Sequence, residues 1–192
     1  MNVFCAVCEG RCEIAKVPDG YIEGVEERTD AFFQMLDGED DLGLVIRAHI
    51  HIEHELREFI LAVAPKPGEI KFSDYDYAKT LQLALALGLN PILKPGLSAL
   101  GTLRNEFAHR LEMKLTDQEA KQLYSTLSAG GKADARKAYS KTLLKHPGTG
   151  RPKDMLKSTP KDLIAMCIVK LRGGLVFEHL RLRHKGILGH ND

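Results

Sequence analysis

The 192-residue sequence predicts an all-α fold, a single helical bundle of about six to seven helices. Three observations carry this prediction. Apolar residues recur at three- and four-residue steps, the spacing of one helix face. Capping residues, prolines and glycine pairs punctuate those stretches as start and stop signals. No segment reads as a strand, and a chain with 5 Tyr, 7 Phe and no Trp is poor in the large aromatics that sandwich cores favour.

Residues 1–20 have weak periodicity and read as an irregular, cysteine-containing segment, which leaves 21–192 as the helical domain. Val25, Phe32, Phe33 and Leu36 mark a first helix, broken by Asp37-Gly38-Glu39-Asp40-Asp41. Val45, Ala48, Ile52, Leu56, Phe59 and Val63 form the clearest amphipathic stripe, stopped by Pro65 and Pro67. A third helix is predicted from Ser73-Asp74 to Gly88, with Leu81, Ala84 and Leu85 inward. Asn90-Pro91 makes a turn. Pro95 or Gly96 opens a fourth helix to about Leu111, striped by Leu97, Leu100, Leu103 and Phe107. Thr116 and Glu119 fit the capping box of a fifth, which points Leu123 and Leu127 inward and stops at Gly130-Gly131. Residues 130–158 read as a short helix followed by an exposed basic loop. Ser158-Thr159-Pro160 starts the last helix, which carries Leu163, Met166, Cys167 and Leu171 and is kinked or ended by Gly173-Gly174.

The near-zero net charge hides an asymmetry. Residues 1–60 carry fourteen acids against Arg11, Lys16, Arg28, Arg47 and Arg57, a net of −9. Residues 130–192 carry fourteen Lys and Arg against Asp134, Asp154, Asp162, Glu178 and Asp192, a net of +9. The basic C-terminal third is a candidate nucleic-acid surface. Pairing with the acidic end, of the same chain or of a second copy, is favoured over it, because the cations lack interleaved aromatics. Cys5, Cys8 and Cys12 supply three soft ligands where structural zinc usually takes four, so neither a metal nor a cofactor is expected. With no secretory pattern at Met1–Gly20 and no membrane-length apolar run, a cytoplasmic chain without a membrane partner is expected.

The candidate site is a polar cluster of His49, Glu53, Arg104, Asn105 and His109. His49 and Glu53 lie four apart on or beside the apolar face of the second helix. A buried carboxylate is costly without a partner, so Glu53 is expected to meet a cation from elsewhere in the fold, Arg104 or His109. Asn105 and His109, also four apart, share a face of the fourth helix, and the long Arg104 side chain can reach round to it. Arg and His beside a phosphate can cleave a phosphodiester, His moving protons and Arg stabilising charge on phosphorus. The competing reading makes the same residues fasteners between helices.

Asp30 to Leu36, the acidic break, Val45 to Ile60, Tyr77 to Gly88 and Leu103 to His109 occur in an order that resembles the mannitol operon repressor family. Thr159 to Cys167 is similar to that family's late helix. The resemblance spans roughly residues 25–128 and 158–180; the cysteine-bearing N-terminus and the basic segment 130–157 depart from it. It implies an all-helical, non-enzymatic transcriptional regulator or co-repressor that acts through protein contacts. Arg104-Asn105-x-x-x-His109 also resembles the signature of HEPN domains, helical and often dimeric, many of them metal-independent endoribonucleases. That resemblance implies His109 as general acid/base and Arg104 as phosphate clamp. The regulator, a homodimer, is the leading expectation, and the ribonuclease is the alternative.

Overall fold

The computed structural model describes residues 31, 32, 34–36, 38–109, 114–145, 148 and 150–184. Every regular element among them is helical, and a single core cluster joins these elements. The all-α expectation therefore holds. The cysteine cluster at 5, 8 and 12 and most of the predicted first helix lie outside the described residues. Phe32 and Leu36, the helical remnant of that element, are buried in the core.

Helix α1, Asp41–Val63, starts where the Asp40 carboxylate accepts the Gly43 N–H at 2.7 Å and ends where Pro65 withholds the next donor. At 23 residues it is about 34 Å long. It buries Leu44, Val45, Ala48, His49, Ile52, Leu56, Phe59 and Ile60, a stripe wider than the one read from the spacing. Helix α2, Tyr77–Ala86, starts later than predicted, because Asp76 is its N-cap while Ser73-Asp74 lies in a separate single turn. It is closed by Gly88, whose φ of 105° lets the chain turn left-handedly. Helix α3, Lys94–Ala108, follows a short turn capped by Asn90.

Helix α4, Asp117–Ser125, carries the predicted capping box: Glu119 N–H to Thr116 Oγ1 at 3.3 Å and Thr116 N–H to Glu119 Oε2 at 2.8 Å. The segment after it corrects the sequence reading. Gly130-Gly131 does not stop a helix. It forms the first turn of α5, Ala129–Lys145, whose start is fixed by Ser128 Oγ accepting the Gly131 N–H at 3.0 Å. The basic loop expected around 130–158 is therefore helical over its first half.

Helix α6, Pro160–His184, is the longest element at 25 residues. Its Thr159 N-cap and Pro160 start match the prediction. Gly173-Gly174 does not end it. Gly174 faces Leu93, and a Cβ there would come within 2.7 Å of that side chain; Gly96 on α3 meets Leu171 in the same way at 2.5 Å. The two glycines let α6 approach the start of α3. Helix α6 packs on α1, α4 and α5, and α1 packs on α2 and α3, so α1 and α6 form the centre. No helix among the described residues is long and apolar enough to cross a membrane.

Candidate functional site

His49, Glu53 and Arg57 stand four residues apart on α1 and form one column. The Glu53 carboxylate accepts a hydrogen bond from Arg57 Nη2 and lies 3.9 Å from His49 Nδ1. This corrects the expectation that Glu53 needs a cation from another element: its own helix supplies one, a turn further on. The Arg57 guanidinium in turn lies over the Phe72 ring at 5.3 Å.

Tyr77, at the start of α2, closes the other side of the column. Its ring centroid is 4.4 Å from that of His49, and its hydroxyl donates to the Leu97 carbonyl at 2.9 Å. The ring can come this close to α3 because residue 101 is glycine; a Cβ there would sit 2.8 Å from two ring carbons. Three helices thus meet on one phenol.

Burial pushes the His49 imidazole below its ordinary range; Glu53 opposes this shift, and the charge of Arg104 adds to it. His49 is therefore neutral at neutral pH. Burial, reinforced by the Glu53 carboxylate, holds the Tyr77 phenol well above its ordinary range. Its proton stays on the hydroxyl, already used in holding Leu97. Tyr77 and Arg57 belong to the cluster but were missed in the sequence. The signal for Arg57 was its spacing from Glu53, while nothing local marks Tyr77.

The second half of the motif lies elsewhere. Arg104 is half-buried and close enough to act electrostatically on His49, and its Nη1 donates to Asn105 Oδ1 at 3.2 Å. Asn105 and His109 are exposed, and His109 is the C-cap of α3, its N–H directed at Glu106 and Phe107 carbonyls. No hydrogen bond or ion pair joins the His109 side chain to Arg104 among the described residues. Among the described residues Asn105 and His109 fasten no neighbouring helix, contrary to the competing sequence reading. Only His49, Glu53 and Arg104 of the predicted cluster share a neighbourhood.

Two further groups look reactive by residue type. Burial raises the Cys167 thiol to about 12, so it stays protonated and unreactive. Glu178 is fully buried on α6; its Oε2 accepts from Arg181 Nε at 2.8 Å, and its Oε1 has no hydrogen-bond partner among the described residues. No group of His, Cys, Asp and Glu among the described residues is placed to hold a metal ion. A cavity of about 20 Å³ between the starts of α3 and α5 and the middle of α6 has room for about one water.

Comparison with protein-family models, curated proteins and solved structures gave no match to the chain.

Proposed function

We propose that the chain is a non-enzymatic transcriptional regulator of the mannitol operon repressor type, a cytoplasmic homodimer that works through protein contacts. The observation that supports this reading is the use made of the polar cluster. Glu53 is held by Arg57, Tyr77 by the Leu97 carbonyl, and His49 is packed against Tyr77. The Glu53–Arg57 pair is internal to α1, while His49 and Tyr77 are occupied in joining α1, α2 and α3. The buried part of the cluster thus serves as an internal fastener, and the outer helix faces remain for partners.

The test is purification of the tagged full chain from its native cells after nuclease treatment. A stoichiometric protein partner that re-forms the complex from purified components is expected. Co-purification of RNA alone, lost on nuclease treatment, would count against the reading.

The ribonuclease alternative has one observation in its favour. The imidazole of His109 is exposed at the end of α3, within five residues of the Arg104 guanidinium. In that reading a second copy or the RNA itself brings the two side chains onto one phosphate. His109 then moves the proton and Arg104 holds the charge.

A further inference from the structure

The outer face of α5 carries a run of exposed cations that form no ion pair among the described residues. Arg136, Lys137 and Lys141 are all exposed, and Ala133 and Ser140 lie between them on the same half-turn of surface. Lys132 flanks the arc. With Arg136 it lies over the Tyr124 ring, at 5.7 and 5.9 Å. The acid on the helix, Asp134, borders this arc, three residues before Lys137 and seven before Lys141, and is held in an ion pair with Lys170 at 2.5 Å. The Tyr139 hydroxyl donates to the Pro152 carbonyl at 2.9 Å, which ties the next segment, with exposed Lys153 and Lys157, beside the helix.

Apart from the exposed Glu58, the acids in and just before α1 are already engaged. Glu39 pairs with Arg47 at 2.7 Å, Glu53 with Arg57, and Glu55 with Arg172 at 2.8 Å. Asp40 and Asp41 accept the N–H groups of Gly43 and Leu115. Glu55–Arg172 is a direct pair between the acidic and basic halves of the chain, and it joins α1 to α6 rather than to α5.

We propose that the outer face of α5 binds the phosphate backbone of double-helical nucleic acid, without reading sequence. A convex helix face on which exposed cations alternate with small side chains, and whose bordering carboxylate is already paired with Lys170, suits a polyanion. The face offers a protein partner little to anchor on, its one large apolar side chain being Leu144 at the far end, 82% exposed. Single strands are favoured by aromatic platforms on which bases stack. Here Tyr124 and Tyr139 are both buried, so the duplex is the better ligand.

The test uses the full chain and fluorescence anisotropy, with labelled duplex DNA, duplex RNA and single strands of equal length and arbitrary sequence. Three phosphate contacts give a slope of about −3 in log K against log salt, or roughly forty-fold weaker binding on raising salt about fourfold. The expected result is binding to at least one duplex with that slope, weaker binding to the single strands, and loss of about tenfold or more in the variant Arg136→Gln/Lys137→Gln/Lys141→Gln. The DNA and RNA arms say which duplex is preferred. Circular dichroism checks that the variant is folded; if it is not, the wild-type slope decides. Absence of duplex binding at low salt would overturn the proposal, as would unchanged affinity in the folded variant. So would tighter binding to polyglutamate than to either duplex. A dimer that dissociates in salt and is lost in the variant would also overturn it, by assigning the face to self-association.

Discussion

Tyr77 concentrates more of the local structure than any residue singled out from the sequence. It stacks on His49, reaches the Leu97 carbonyl and fills the space over Gly101. Its role depends on residues 20 and more positions away, so helical spacing cannot show it. His49 and Glu53 were legible because four-residue spacing on an apolar face is a local signal. The partner of Glu53 was equally local, but the column was read only as far as Glu53 and stopped short of Arg57. Gly101→Ala should press a methyl into the Tyr77 ring and destabilise the fold by about 1–2 kcal/mol in urea unfolding, despite the better helix propensity of Ala. An unchanged or raised stability would show that the ring yields without loss. His49 adds a pH dependence. Its folded-state pKa is lowered, so the unfolded chain binds the proton more tightly. Stability from its neutral form is complete above the unfolded value of about 6.5 and is lost as pH falls from there through the lower folded value. His49→Gln should flatten part of the decline in urea stability between about pH 7.5 and 5.5. His51, also lowered by burial, leaves a residual slope.

Among the elements, the best predicted were those with side-chain caps. Thr116 with Glu119, and Thr159 with Pro160, each fix a helix start within a few residues. Thr116→Ala removes an acceptor that the Glu119 N–H uses and should cost about 1 kcal/mol in thermal or urea unfolding. No loss would mean that the backbone there is held by α4's packing alone. The misread elements share one cause. Gly-Gly is a stop signal only where the preceding helix runs into it. Here α4 has already ended at Ser125, and Ser128 restarts the chain with the glycines in the first turn of α5. At Gly173-Gly174 the missing side chain is needed for packing against Leu93. Helix α5 was shortened in the sequence reading because its inward face is made of Gly131, Ala135 and Tyr139, too small and sparse to show as an apolar stripe.

At the scale of the whole molecule, α1 and α6 form the centre of the bundle, and the remaining helices pack round them. The class was legible because it follows from periodicity. Which helices touch was not, since it depends on close approaches such as Gly96 against Leu171 and Gly174 against Leu93. The charge asymmetry was legible as a number but not as an arrangement. The structure places Glu55 on Arg172 between the central helices and leaves the cations of α5 without an ion pair among the described residues. The central question is whether the Arg104–His109 segment ends a helix or carries out a reaction. The direct measurement is RNA cleavage by the purified chain in the presence of a metal chelator, beside folded His109→Ala and Arg104→Ala. The exposed His109 imidazole holds no other helix among the described residues, so its removal should leave the circular dichroism spectrum and unfolding midpoint unchanged. The account predicts no cleavage by the wild type, and none to lose in either variant. Metal-independent cleavage by the wild type that falls about a hundred- to ten-thousand-fold in both folded variants would contradict it.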